Sequence, residues 1–326
     1  MSVVAVDLGG TKIASAIVGS EGDILARRHA LLDKRGGSDV AQLLIAECRG
    51  LLSRRDGAPP EAIGVVVPGI YHADRGTVWA PNIPGWDDYP LRDELQAAVG
   101  PGIRVVVDSD RAGYIVGETW VGAARGARDA IFLAVGTGIG AGILVGGRVL
   151  RGHADIAGAI GWLALDRPYL DRYDACGCFE YHASGSGLTK AGRDLLAEQT
   201  GYDGELRSVD PDEFSTARLF EAYDRGDRVA RRMLDDAVQF WGMAAANLVS
   251  LFNPETIVFG GGVFGPAVRF LERIGAEAKR WAQPVAMKQV RIVPTALHGD
   301  AGLYGAARLA LLDAAHSDDS QHSAAR

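Results

Sequence analysis

The residues with the most chemical potential near the start of this chain are an aspartate, a glycine turn, a hydroxyl and a cation: Asp7-Leu8-Gly9-Gly10-Thr11-Lys12. A tight turn without side chains leaves backbone N–H groups that can form an anion-binding concavity. The carboxylate before it can hold Mg²⁺ or its waters, and Thr11 and Lys12 can meet phosphate oxygens. Gly136-Thr137-Gly138-Ile139-Gly140 repeats the Gly-Thr pair, so two such turns facing each other across a cleft could clamp a polyphosphate. A third run, Gly260-Gly261-Gly262, lies between an apolar segment and a helix start. There a flat ligand can approach main chain and the helix dipole favours phosphate. Asp108 and Asp110 are carboxylates that can either accept a proton from an alcohol or cap the helix that follows. In Ala80-Pro81-Asn82-Ile83-Pro84-Gly85-Trp86 the Asn82 carboxamide can donate to and accept from hydroxyls, or act as a turn former in a proline-stiffened loop.

Other cradles fail on spacing or context. No GxxxxGK[ST] run is present, which argues against a P-loop NTPase. Gly136, Gly138 and Ala141 fit a loose GxGxx[GA], but Gly142-Ile143-Leu144-Val145 follows and reads as a strand, where the dinucleotide fold needs a helix. Cys176, Cys178 and His182 fall short of the four ligands of a structural zinc site. With Cys48 the three cysteines make no disulfide framework and suit a reducing compartment.

The elements that must position these groups follow from apolar period. Val3–Asp7 and Ile13–Val18 read as a hairpin with the first glycine turn at its tip; Ile131–Val135 and Ala141–Val145 read as a second hairpin of the same shape, which we take as an internal duplication. Leu43 to Leu52 and Ala112 to Trp120 recur at helical spacing, Ile63–Val67 and Ile103–Val107 as buried strands. A long helix runs from Val229 to Phe252 and stops at Asn253-Pro254. Thr256–Phe259 is a strand, a helix carries Val268 to Trp281, and a last helix covers about 301–312. Residues 314–326 lack an apolar period and read as a frayed, disordered tail.

A chain of 326 residues exceeds the usual size of one core, so two lobes are expected. The 43 glycines are roughly twice average usage and gather at the ends of apolar runs, as turns approaching a ligand would. Net charge is -7 with no basic stripe, which argues against nucleic acid. The most apolar stretch, Ala130 to Gly147, is broken by glycines, and a bilayer span needs about 20 unbroken apolar residues. No basic segment precedes an apolar one at the N-terminus, so a signal peptide is not expected and the cytoplasm is.

At Asp7-Leu8-Gly9-Gly10-Thr11-Lys12, Gly136-Thr137-Gly138-Ile139-Gly140-Ala141-Gly142 and Asn253-Pro254-Glu255-Thr256-Ile257-Val258-Phe259-Gly260-Gly261-Gly262 the sequence resembles the ROK family of bacterial sugar kinases, within the actin-like ATPase superfamily. The likeness covers about residues 3–310. It implies a two-lobed, internally duplicated α/β fold of the ribonuclease H-like type. The N-terminal lobe would span 1–120, joined by the last helix at 301–313, and the C-terminal lobe 121–300, with ATP and sugar meeting in the cleft.

By this resemblance Gly9, Gly10 and Thr11 face Gly136, Thr137 and Gly138 across the phosphates, with Lys12 alongside. Gly260, Gly261 and Gly262 lie against adenosine, and Asp7 serves Mg²⁺ directly or through water. The family's Asn-Asp-Ala-Asn before Gly-Glu, counted back from Gly117-Glu118, puts the catalytic carboxylate at Asp110. Asn82 falls in the sugar-contacting loop, and Gly69, Ser109, Trp162 and Glu180 complete the acceptor set with Asp110. The chain departs from the pattern where Ala159 and Trp162 replace the Glu and His of Gly-Glu-Ile-Gly-His, where Ser109 replaces an Asn, and where Asp171 and Tyr173 stand in place of two zinc cysteines. Only Cys178 keeps register, so no zinc site is expected.

The implied activity is ATP- and Mg²⁺-dependent phosphorylation of a primary hydroxyl, on an aminosugar or C7 cyclitol of secondary metabolism, with an ordinary hexose kinase as alternative and a homodimer as the expected assembly. The family also includes sugar-responsive repressors with an added DNA-binding segment; with the first hairpin starting at Val3, no such segment is expected here.

Overall fold

The computed structural model describes residues 1–54, 57–199, 201–210 and 212–323, with side chains as far as 314. Apolar β-branched runs form the first strands: β1 (Ser2–Leu8) and β2 (Lys12–Gly19) pair antiparallel through Leu8 and Ile13, and β3 (Ile24–Leu31) follows. Helix α1 (Gly37–Leu52) leads to β4 (Ala62–Val67), a small hairpin of β5 (Ile70–His72) and β6 (Thr77–Trp79), α2 (Leu91–Val99), β7 (Arg104–Ser109) and α3 (Asp110–Val121). The strands β3-β2-β1-β4-β7 make one five-stranded sheet.

The second half rebuilds the pattern. β8 (Ala130–Val135), β9 (Ile139–Val145) and β10 (Arg148–Val149) precede a helical stretch of α4 (Cys178–Ala183), α5 (Gly185–Glu198), α6 (Thr216–Asp224) and α7 (Arg228–Phe252). β11 (Thr256–Gly260), α8 (Leu271–Trp281), α9 (Pro284–Met287), β12 (Arg291–Pro294) and α10 (Ala301–Ser323) complete the chain. The second sheet runs β10-β9-β8-β11-β12. Position by position it matches the first: a meander of three antiparallel strands, then two strands added parallel to its innermost member. The duplication read from the two glycine hairpins is thus present in the topology.

Local chemistry sets the helix ends. Ser109 caps α3, its hydroxyl accepting from Ala112 N at 3.3 Å; Asp227 caps α7, accepting from Val229 and Ala230 N. Asn253 ends α7 in the left-handed region at φ 45°, ahead of Pro254, which cannot continue a helix.

Two helices bind the halves together. The face of the first sheet carrying Val3, Ala5, Ala16 and Val66 packs on Leu303, Ala306, Ala307 and Ala310 of α10. The approach is close: a Cβ on Gly64 would stand 1.9 Å from the Ala306 carbonyl oxygen, and one on Gly305 2.0 Å from that of Gly113 in α3. Helix α3 in turn lies against the second sheet, where Gly142 of β9 meets the Arg111 carbonyl.

Two expectations need correction. Helix α10 does not end near residue 312 but continues to Ser323; after Gly305 no glycine or proline interrupts it, and adding residues to an existing helix is far easier than starting one. Residues 324–326 of the expected tail lie outside the described residues. The helix expected across Val268 to Trp281 is a 3₁₀ turn at Pro266–Phe270 joined to α8.

Candidate functional site

The end of β1 and the start of α3, which follows β7 directly, meet at Asp7 and Asp110, and α3 packs on β9 of the second hairpin, where Gly140 and Gly142 meet Arg111. Asp7 ends the apolar part of β1, and its carboxylate lies where a Cβ on Gly302 of α10 would be 2.3 Å away. Burial, then the charge of Asp110, pushes the Asp7 pKa up to about 7, with Lys12 opposing and Asp300 adding to the shift. Asp110 is the first residue of α3 and is pushed up to about 6, chiefly by burial, against the charge and N–H of Arg111 and the Tyr114 hydroxyl. Arg111 N donates to Asp110 Oδ1 at 2.7 Å, and Tyr114 Oη to Oδ2 at 3.3 Å.

Two carboxylates whose proton affinity is raised chiefly by burial, and in Asp7 also by the charge of Asp110, are groups that an added cation would stabilise. Mg²⁺ typically takes one or two carboxylates together with phosphate oxygens, so this donor chemistry fits it. Among the described residues no cluster of three or more His, Cys, Asp or Glu is placed to hold a metal by itself.

Asp108, the other carboxylate weighed for a capping role, does not cap α3. Its side chain is buried against a bidentate partner, Arg151, at 2.8 and 2.6 Å, and Ser109 is the N-cap. Ser109, placed in the acceptor set, therefore has its hydroxyl turned to its own helix. Beside it Tyr71, Arg111, Arg151 and Asp155 line a groove between the two sheets. Gly69 borders the same region at φ 124°, its carbonyl facing an Arg111 amine at 3.5 Å.

The two glycine tips differ in their surroundings. Gly9 N donates to the Lys12 carbonyl at 2.9 Å, and Gly10, Thr11 and Lys12 are exposed. A Cβ on Gly10 would touch the Asn82 Cβ at 3.4 Å, so the loop of Asn82 stands against this tip. In the second tip Gly136 and Thr137 turn their carbonyls to the N-terminus of α5, accepting from Gly185 N at 2.8 Å and Ser186 N at 3.1 Å. Glu180 joins it: Oε2 accepts from Ile139 N at 2.6 Å, and a Cβ on Gly138 would lie 2.7 Å from that oxygen. Burial raises the Glu180 pKa. A residue read as acceptor-binding is thus in contact with a turn read as phosphate-binding.

In the Gly260–Gly262 run each glycine has its own reason. A Cβ on Gly260 would run into the Phe132 ring at 2.3 Å, and Gly261, at φ 94°, would meet the Val135 carbonyl at 2.4 Å. Gly262 faces open space and is the member able to receive a ligand without rearrangement. Trp162 is 58% exposed, beside Gly177 and the segment of Glu180. At Tyr173, a position aligned with a zinc cysteine, Oη meets His182 Nε2 at 2.8 Å, and the His182 ring stacks on Phe240 at 4.3 Å. Burial lowers the His182 pKa.

Tyr114, Arg111 and Arg151 were not anticipated. Tyr114 carried a signal, since a residue four places after Asp110 lies on the same helix face; Arg151, distant in sequence from Asp108, carried none.

Two duplicated β-meander sheets, bridged by two helices, with glycine hairpins and paired carboxylates between them, define a two-lobed actin-like ATPase fold. The ROK family model matches residues 3–312, and the chain belongs to this family. It is 30% identical over 313 residues to the glucokinase of Thermotoga maritima, covering 95% of this chain and 97% of that one. A ROK hexokinase from Thermus thermophilus superposes with a TM-score of 0.80 at 33% identity, over 97% of this chain and all of that one. A ROK family glucokinase from Streptomyces griseus in complex with glucose and AMPPNP superposes with a TM-score of 0.76 at 30% identity, over 96% and 100% of the two chains.

Proposed function

We propose that this protein, a phosphotransferase with a hydroxyl group as acceptor, transfers the terminal phosphoryl group of ATP to the primary hydroxyl of a hexose-like acceptor, with Asp110 as the residue that orients the hydroxyl and takes its proton. The observation that carries the reading is Asp110 itself: a carboxylate with raised proton affinity at a helix start, close to Asp7 of β1 and followed by Arg111, which lies against Gly140 and Gly142 of β9. A base poised near neutral pH is what proton abstraction from an alcohol asks for. The tips of both hairpins and Gly262 would hold the nucleotide, the first lobe with α10 carrying the acceptor side and the second the nucleotide side. Asp7 would hold Mg²⁺, which when bound offsets charge on the phosphates.

For the acceptor we favour an aminosugar such as kanosamine, or a C7 cyclitol of the valiolone type. Ala159 has no polar side-chain atom and exposed Trp162 offers an indole face. A buried hydroxyl left without a partner costs about 1–3 kcal/mol, which disfavours a sugar that needs both positions to be polar. Glucose is the second reading, supported by the names of the glucokinases to which the chain is similar. Release of ADP, measured with Mg·ATP over a panel of hexoses, aminosugars and cyclitols, tests the choice. Higher kcat/KM for glucose than for every aminosugar and cyclitol would overturn the preferred acceptor class; no acceptor-dependent turnover at all would overturn the kinase reading.

A further inference from the structure

Asp110 opens helix α3, where, among the described residues, the backbone N–H of Arg111 and one side-chain hydroxyl donate to its oxygens. The hydroxyl belongs to Tyr114, one turn later on the same face. Long side chains on a helix lean back over the preceding turn, which brings this phenol onto the aspartate. The ring has its own support: it packs on Phe132 of β8, centroids 5.1 Å apart at 40°. Phe132 is 2% exposed and fills the space beneath Gly260, whose missing Cβ would lie 2.3 Å from the Phe132 Cζ.

We propose that Tyr114 is a positioning residue for phosphoryl transfer: its hydroxyl holds Oδ2 of Asp110 in place, and Phe132 holds the ring. The proposal rests on the reading of Asp110 as proton acceptor. With Arg111 N on Oδ1 and Tyr114 on Oδ2, rotation of the carboxylate is restrained, while each oxygen keeps a further lone pair for the acceptor hydroxyl. Burial and the charges of Asp110 and Asp7 hold the phenol protonated, so it acts as donor. The path from Asp110 through Tyr114 and Phe132 ends beneath the glycine run assigned to the nucleotide. The same contact therefore fixes the base relative to the phosphoryl donor.

Tyr114→Phe keeps the ring and removes only the hydroxyl. Using Mg·ATP and whichever of glucose, kanosamine and valiolone turns over fastest, kcat should fall roughly tenfold, the size expected for losing a hydrogen bond to a charged group. Both KM values should stay within about twofold, since the proposed role of the phenol is to hold the carboxylate and not to bind either ligand, and the unfolding temperature should not change. Adding Tyr114→Phe to an Asp110→Asn background should cost nothing more, because the hydroxyl acts only through the carboxylate. If Asp110→Asn kept normal kcat, the reading of Asp110 would fail and the positioning role with it. If Asp110→Asn were inactive or crippled while Tyr114→Phe left kcat unchanged, or acted through KM alone, or cost the same in both backgrounds, only the role of Tyr114 would be overturned.

Discussion

Asp110 and Asp108 lie two residues apart in sequence and hold different partners. Asp108 is buried against the bidentate guanidinium of Arg151, whereas among the described residues an N–H and a phenol donate to the oxygens of Asp110, whose pKa is raised to about 6. Asp110→Asn should therefore lower kcat by roughly 10² to 10⁴ while nucleotide affinity, measured by titration with a fluorescent ATP analogue, stays near normal. In the unmodified protein kcat/KM should rise with pH between about 6 and 7, as Asp110 and Asp7 ionise, and then level off. Asp7 also has a stability signature. Its folded-state pKa of about 7 exceeds the ordinary 3.8, so between those values the folded chain keeps a proton that the unfolded chain has released, and stability falls as pH rises through that window. Asp7→Asn, in Mg²⁺-free buffer at pH 8, should accordingly raise Tm by a few degrees while abolishing turnover. A lower Tm in that scan would mean that the buried charge is compensated in the folded state.

At the scale of elements, glycine identifies where backbones touch. Gly305→Ala would press a methyl against the Gly113 carbonyl of α3, 2.0 Å away; because two helix backbones must part to make room, a loss of about 1–3 kcal/mol is expected, readable by denaturant unfolding. Gly262→Ala, with nothing within 4 Å, should leave stability unchanged and instead raise the KM for ATP. Gly261 is a poorer probe of nucleotide binding, since even alanine there would combine a left-handed φ with a backbone clash. The hairpins β1–β2 and β8–β9 were legible in sequence because an apolar run, a glycine tip and a second apolar run are an unambiguous local pattern. The edge strand β3 was not: Ile24-Leu25-Ala26-Arg27-Arg28-His29-Ala30-Leu31 is mostly exposed, and without a buried face its period carries little information. Helix α2, with only Leu91 and Leu95 buried, escaped notice for the same reason. The glycine clusters of the candidate site were legible in sequence, but not that Gly260 and Gly261 are small to fit Phe132 and Val135, because such contacts join positions more than a hundred residues apart.

Across the whole molecule, polar contacts among the described residues tie the two halves on either side of the candidate site. Glu118 of α3 is fully buried and gathers Ala123 N at 2.6 Å, Leu297 N at 3.4 Å and the Thr295 hydroxyl, fixing α3 to the segment that enters α10. Arg27 of β3 grips Asp300 at 2.8 and 2.6 Å. On the groove side the principal tie is Asp108 to Arg151, from the end of β7 to the residues after β10. Its partners are unequal: the Asp108 side chain is 3% exposed and that of Arg151 41%. Removing the cation by Arg151→Met strands a buried carboxylate, a loss that reaches about 3–5 kcal/mol for fully buried pairs and is reduced here because water can reach the partner's place. Asp108→Asn leaves a guanidinium that can turn to solvent and should cost distinctly less. Thermal unfolding of both variants should rank Arg151→Met well below Asp108→Asn, and equal losses would mean that the pair stabilises through Arg151 packing instead of through charge. If the groove that the pair lines takes the acceptor, as the proposed function places it on that side, both variants should raise the KM of the acceptor more than that of ATP; a rise confined to ATP would place the groove on the nucleotide side of the molecule.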